Sequence, residues 1–230
     1  MTTLYDVLGS SIVWEVAADQ PGDIYTDTGG TTQAANGQAV AAWRSTANGS
    51  VSSLSTQSTS GSRPTYQMDY AGSGYPALYF DGGDGLVVPH DEAFNAPVVS
   101  LLAVIVAESL AAFKIAYSRV IDENWNNGQI IVTMGADHMI CASRGYSGGA
   151  SITMTANTER ALLLTTNTDI TENVAFSSTG RISSHIYGSS YSHTQPGGIG
   201  NGGAAGGSYG WLGAIRHLIY VNRELRLNEI

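Results

Sequence analysis

The sequence predicts an all-β domain, a sandwich or a barrel, and three observations carry that prediction. Short runs rich in β-branched and aromatic residues recur along the whole chain, turn-forming residues bound each run, and helical periodicity is scarce. Many short strands at close spacing, with turn chemistry between them, call for two packed sheets or one closed sheet.

In chain order the strand runs are Ser11 to Ala17, Pro76 to Phe80, Val98 to Val106, Gln129 to Met134, Ser151 to Thr155, Arg160 to Thr165, Arg181 to Tyr187 and Trp211 to Val221. Asn36-Gly37, Asn48-Gly49 and Asn127-Gly128 supply the positive φ that tight reversals demand. Longer connections run from Asp81 to Gly85 and from Gly197 to Gly207, the second read as a flexible surface loop. The last strand alternates Trp211, Gly213, Ile215, His217, Ile219 against Leu212, Ala214, Arg216, Leu218, Tyr220. Both sets are largely apolar, which places the strand centrally in a sheet. Trp14, Trp43 and Trp211 fall in strand patterns and are assigned to the core. Two pieces read as helical, Glu108 to Lys114 and Leu225 to Ile230. Neither a repeat nor a break in composition divides the 230 residues, so one domain is expected.

Composition excludes whole function classes. Only 13% of residues are charged, the single lysine is Lys114, and the net charge is −9. Nonspecific nucleic-acid binding needs clustered cations, so no nucleic-acid partner is expected. The 28 Gly, 25 Ser and 20 Thr suggest looseness, but 43% hydrophobic residues with 12 Tyr, 4 Trp and 4 Phe furnish a core. The run Val98 to Ala107 is about half the length that spans a bilayer, so no membrane insertion is expected. The N-terminus has neither the basic region nor the apolar core of an export signal. Cys141 cannot form an internal disulfide and, within Met139-Ile-Cys-Ala142, reads as a small buried hydrophobe.

Three groups of motifs, in fixed order, carry a resemblance. Tyr25-Thr-Asp-Thr-Gly-Gly-Thr-Thr32 is followed by Asn36-Gly-Gln-Ala-Val-Ala-Ala-Trp43. Ser62-Arg-Pro-Thr-Tyr66 precedes Tyr75-Pro-Ala-Leu-Tyr-Phe-Asp-Gly82 and Asp84-Gly-Leu86. Ile199-Gly-Asn201 precedes Trp211 to Tyr220 and Arg223-Glu-Leu225 to Glu229-Ile230. Together these resemble the concanavalin A-like, laminin G-like jelly-roll domains of tailed-bacteriophage structural proteins. The resemblance implies a two-sheet antiparallel jelly-roll sandwich over residues 14–230, with residues 1–13 as an N-terminal docking segment. Two departures stand out: a frequent acidic position is replaced in Trp43-Arg-Ser-Thr-Ala-Asn-Gly49, and no C-terminal helix follows, which suggests a self-contained domain.

The resemblance further implies a virion protein, made in the host cytoplasm and exposed on the particle as a capsid decoration or tail-associated accessory. Its expected partners are other virion proteins, copies of itself in a homo-oligomer, and host-surface polysaccharide. A dedicated host-recognition adhesin of the tail fibre is the alternative; a glycan-degrading enzyme is a third and weaker reading. An enzyme is not expected, because a retaining glycosidase of this architecture places two carboxylates at alternating positions of one strand. Asp91-Glu92 and Asp122-Glu123 are adjacent instead, and Asp169 and Glu172 fall on a turn. Gly145-Tyr-Ser-Gly-Gly149 matches a nucleophile elbow in letters, but a strand pattern follows where a helix is required.

Sugar rings stack on aromatics while amides and hydroxyls bond their oxygens. The loop residues that suit this are Trp125, Asn126, Asn127, Tyr146, Tyr187, Tyr191, His193 and Tyr209. No cofactor is expected. Asp81 and Asp84, flanking two glycines, are weak Ca²⁺ candidates, and Asp19, Asp23 and Asp27 recur every four residues in a turn-rich segment. Ordinary turn stabilisation is the favoured reading of all five. The histidines His90, His138, His185, His193 and His217 show no paired zinc spacing and read as structural.

Overall fold

The computed structural model describes residues 8–47, 53–111, 113–119, 129–135, 138–143, 150–167, 172–177, 180–186, 195–200 and 209–225. Within them the strands are β1 (Ile12–Ala17), β2 (Ile24–Tyr25), β3 (Ala42–Arg44), β4 (Leu54–Thr56), β5 (Thr65–Gln67), β6 (Ala77–Asp81), β7 (Leu86–Val88), β8 (Val98–Ala107) and β9 (Ile115–Arg119). They continue as β10 (Gln129–Gly135), β11 (His138–Ser143), β12 (Ala150–Thr153), β13 (Glu159–Asn167), β14 (Glu172–Ser177), β15 (Gly180–Ile186), β16 (Gly197–Ile199) and β17 (Leu212–Val221). The eight strand runs read from the sequence correspond to β1, β6, β8, β10, β12, β13, β15 and β17.

An eight-stranded sheet runs β15-β14-β13-β8-β17-β6-β5, with β1 also paired to β17, and a nine-stranded sheet runs β12-β11-β10-β9-β16-β7-β4-β3-β2. This is the all-β, two-sheet antiparallel jelly-roll sandwich expected. Its core is the contact between the two inner faces. Leu78, Phe80, Leu101, Ile105 and Leu164 come from the first sheet, and Ile24, Trp43, Leu86, Ile131 and Ile199 from the second. Each fully buried Leu or Phe of this kind contributes about 2 kcal/mol of transfer free energy. Trp14, Trp43 and Trp211 are fully buried, as their strand patterns implied. Phe94 packs edge-on against Tyr220 at 4.9 Å, and Arg119 reaches up from β9 to donate to the Phe94 carbonyl at 3.0 Å. The histidines whose side chains are described are hydrogen-bonded: His90 to Glu92, and His217 to Glu15. Leu8, Ile12 and Val13, from the segment proposed for docking, are built into the sandwich, Ile12 and Val13 as the start of β1.

Three expectations are corrected. The described residues of 108–114 form no helix, although their alanines favour one. Glu108 N–H donates to the Leu212 carbonyl, Phe113 N–H to that of Thr133, and the Thr133 hydroxyl to that of Ala111. Tertiary hydrogen bonds to β17 and β10 outweigh the local propensity. Gly197–Ile199 is not a surface loop but the buried strand β16 between β7 and β9. A Cβ on Gly197 would stand 3.1 Å from the Ser118 carbonyl oxygen, so the missing side chain is what admits the neighbouring backbone. Residues 201–207, 226–230, Asn48-Gly49 and Asn127-Gly128 lie outside the described residues, as does the side chain of Cys141.

The third correction concerns β17. The strand is central, as expected: β8 lines one edge, while β6 takes Leu212 to Ile215 on the other and β1 takes His217 to Val221. Its strict alternation fails, because the ladder with β8 shifts register between Ile215 and His217. Ile215, Leu218 and Tyr220 face the core, whereas Ala214 and Ile219 pack in separate clusters on the outer face. The bulge therefore places two consecutive residues, Arg216 and His217, on the outside.

Candidate functional site

That bulge organises the outer face of the first sheet. Toward one end, Ile219 and Val221 are covered by Leu8, Ile12 and Leu225; toward the other, Ala214 and Val106 are covered by Tyr70. Between the two covers opens a cleft of about 160 Å³ lined by Asp19, Tyr75, Pro76, Val104, Arg216 and His217. The volume is well below the 300 Å³ or so at which drug-sized pockets begin and suits one small ring.

Tyr75 is delivered by the connection between β5 and β6. Tyr70 N–H donates to the Tyr75 carbonyl at 3.1 Å, Ser73 N–H to the Tyr70 carbonyl at 3.1 Å, and Gly74 N–H to Asp69 Oδ1 at 2.7 Å. This closure winds the backbone through left-handed conformations at Ala71, Gly72 and Gly74, with φ of 52°, 72° and 76°. At Ala71 that geometry costs about 1 kcal/mol and persists because the surrounding bonds fix it. The turn is also nailed to the sheet. Tyr70 stacks on Tyr79 with ring centroids 6.2 Å apart, and the two hydroxyls donate to Glu108 Oε1 and Oε2 at 2.8 and 3.2 Å. Burial first, then the Glu108 carboxylate, pushes both phenols above their usual range.

The result is a ring presented rather than packed. Tyr75 is 63% exposed, the most exposed large apolar side chain among the described residues. Arg216 lies against it, its guanidinium carbon 5.0 Å from the ring centroid, while Nη1 meets Glu159 Oε2 at 2.7 Å and Nη2 donates to the Ser73 hydroxyl at 2.7 Å. Beside it His217 Nε2 lies 2.6 Å from Glu15 Oε1, and Glu15 is buried. Asp19 stands exposed at the rim, its carboxylate without a hydrogen-bond or ion-pair partner among the described residues. Chemically the cleft offers a fixed aromatic face, one free acceptor and polar atoms already held in place. It can bind a flat or puckered ring; it has no activated nucleophile.

Of the binding residues expected from the sequence, Trp125, Asn126, Asn127, Tyr146, Tyr187, Tyr191 and His193 lie outside the described residues. Tyr209 is described and lies away from the cleft, edge-on to Phe113 at 6.2 Å, with its carbonyl accepting from Ile115 N–H. The serine of Gly145 to Gly149 is also outside, but β11 and β12 on either side pair antiparallel, so a strand follows it. Tyr75 and Arg216 were missed. Tyr75 read as part of a fold signature, and Arg216 as one step in an alternation that the bulge breaks. The local signal was Asp69-Tyr-Ala-Gly-Ser-Gly74, dense turn chemistry immediately before an aromatic.

Three of the acidic candidates, Asp27, Asp81 and Asp84, bond the backbone of their own turns. Asp27 accepts from the backbone N–H of Thr32, Thr31 and Gly29, and these bonds, Thr32 foremost, hold its carboxyl below the usual range. Asp23 pairs with Arg44 at 3.7 Å. Asp81 Oδ1 accepts from Gly83 N–H at 2.8 Å, and Asp84 Oδ2 from Asp81 N–H at 3.1 Å. Burial pushes the Asp84 carboxyl up to about 6, with the Asp81 charge adding to the rise. Calcium takes six to eight oxygen ligands. Among the described residues no group of three His, Cys, Asp or Glu stands close enough to hold a metal ion, so this pair alone is a poor fit to one.

No family model matches the sequence, and no curated protein matches it. Solved structures do match. Domain 4 of AbnA, an extracellular GH43 arabinanase of Geobacillus stearothermophilus, solved with arabinotriose, is 13% identical with a TM-score of 0.62, covering 95% of this chain and 96% of that one. The CBM40 of the Ruminococcus gnavus IT-sialidase, bound to α2,3 sialyllactose, is 10% identical with a TM-score of 0.54, covering 66% of this chain and 92% of that one. Trypanosoma rangeli sialidase is 12% identical with a TM-score of 0.58, and the match spans 97% of this chain but 32% of that enzyme. At such identities the likeness is one of fold, a jelly-roll β-sandwich.

Proposed function

We propose that the chain is a non-enzymatic, carbohydrate-binding sandwich on the exterior of a bacteriophage particle, a capsid decoration or tail-associated accessory that holds host-surface glycans. The observation that carries the binding reading is the cleft at the β17 bulge, where a rigid turn presents Tyr75 beside Arg216 and Asp19. Aromatic faces take the C–H face of a sugar, and carboxylates accept its hydroxyls. Two structures of similar fold were solved with oligosaccharides, arabinotriose and sialyllactose, which supports a sugar as the ligand class. The non-enzymatic part is supported by the strands: none of those described carries two carboxylates, so the alternating pair of a retaining glycosidase has no counterpart among them. The particle rests on the resemblance of the ordered motifs from Tyr25 to Ile230.

A glycan array tests the binding reading. Wild-type chain should retain host-derived saccharides that Tyr75→Ala loses, with the thermal midpoint of the variant unchanged because the ring is exposed. A blank array refutes glycan binding. Immunolabelling of intact particles tests the location, and absence of label there removes the virion assignment.

A further inference from the structure

We infer that the cleft selects neutral sugars and rejects those bearing a carboxylate, a specificity that rests on the glycan-binding reading above. The cation that would attract an acidic sugar is already engaged. Arg216 gives Nη1 to Glu159 and Nη2 to Ser73, each at 2.7 Å, and its guanidinium carbon lies 5.0 Å from the Tyr75 ring centroid. Glu159 thus already balances the guanidinium charge, and Nε is buried, which closes the Nε side of the group to bidentate capture of a carboxylate. The second basic group, His217, is held by Glu15 at 2.6 Å.

What remains open is acceptor chemistry. Asp19, exposed at the rim and unpartnered among the described residues, offers two carboxylate oxygens as acceptors. A neutral ring offers it hydroxyl donors; a sugar carboxylate offers it only another negative charge. The surroundings have the same sign. Asp19 lines the cleft with Arg216 and His217, Glu15 meets His217 and Glu159 meets Arg216, within a chain of net charge −9. Negative charge is felt at the tyrosines nearby: Tyr66 is raised by burial and then by Asp19, and Tyr79 by burial and then by Glu108, with Asp81 and Asp84 adding to it. An anion entering this field meets repulsion from these carboxylates, and the guanidinium that would offset it is already paired with Glu159.

The test is an array of neutral oligosaccharides beside their uronic- or sialic-acid-bearing counterparts, such as lactose beside α2,3 sialyllactose, followed by titration of the hits. Wild type should bind neutral members at least tenfold more tightly than their acidic counterparts. Asp19→Asn should weaken neutral binding about tenfold, the effect of one charge-assisted hydrogen bond, and Asp19→Lys should narrow or reverse the preference. Tighter binding of the acidic members, lost in Tyr75→Ala, overturns the specificity while leaving the glycan-binding site in place. Equal binding of both classes by wild type also overturns it. Binding of neither class overturns the specificity together with the reading beneath it.

Discussion

Replacing Asp84 by Asn should stabilise the protein at neutral pH. Asp84 is 5% exposed, and its carboxyl is raised from 3.8 to about 6, so the native state binds its proton more tightly than the unfolded chain does. For a group shifted in this direction, the stability contribution is fully present below pH 3.8 and is lost as pH rises through 6. Roughly two pK units at 1.36 kcal/mol each give a loss of about 3 kcal/mol by pH 7.5. The amide oxygen of Asn can keep the bond from Asp81 N–H, made at 3.1 Å in the native carboxyl, without a charge to desolvate. At about 2–4 °C per kcal/mol for a domain of this size, the variant should melt about 6–12 °C above wild type at pH 7.5. The two should converge near pH 3.5. Calorimetry from pH 3.5 to 8 in calcium-free buffer and again with calcium is the assay. A variant that melts lower at pH 7.5 without calcium refutes the burial argument. A calcium-dependent rise in the wild-type midpoint, absent from the variant, assigns the pair to a cation instead.

Two further outcomes follow from the geometry. Gly213 has φ of 139°, and a Cβ there would stand 2.1 Å from the Val106 carbonyl oxygen; Gly213→Ala should destabilise by more than about 3 kcal/mol, read as loss of soluble folded chain or a fall in denaturant midpoint, and an unchanged midpoint contradicts the placement. Tyr70→Phe removes the 2.8 Å bond to Glu108 but leaves the one from Tyr79, so it should cost about 1–2 kcal/mol in denaturant melts and weaken glycan binding by loosening the turn that presents Tyr75. Unchanged affinity would mean that the turn is held without Glu108.

The strands of seven or more residues were all legible in the sequence because so long an apolar or alternating pattern leaves few alternatives, and β8 and β17 are the plainest cases. Of the shorter ones β1, β6 and β12 were read and the rest were not. Ile24–Tyr25 and Ala42–Arg44 are too brief to show a period, and tertiary pairing alone makes them strands. Gly197–Ile199 carries loop composition and becomes a strand because β9 comes too close for side chains. Ile115–Arg119 was obscured by a helical reading of the residues before it, which hydrogen bonds to distant strands override. The site was hidden for a related reason. A bulge is one residue of misregister against a neighbouring strand, a property of the pairing rather than of the letters, so Arg216 could not be seen to join His217 on one face. Tyr75 needed a turn tied to the sheet through Glu108, 33 positions away. Among the described residues the search for aromatics in loops picked out Tyr209, away from the cleft, and passed over Tyr75.

Backbone amide shifts, recorded while a saccharide retained on the array is titrated into the chain, test the central claim most directly. Binding at the bulge predicts that perturbations concentrate at residues 73–77, Val104, Arg216, His217 and Asp19, on the outer face of the first sheet. Perturbations confined instead to residues 125–127, 144–149 and 187–194, with Tyr75 and Arg216 unmoved, would place the ligand at those residues and contradict the account.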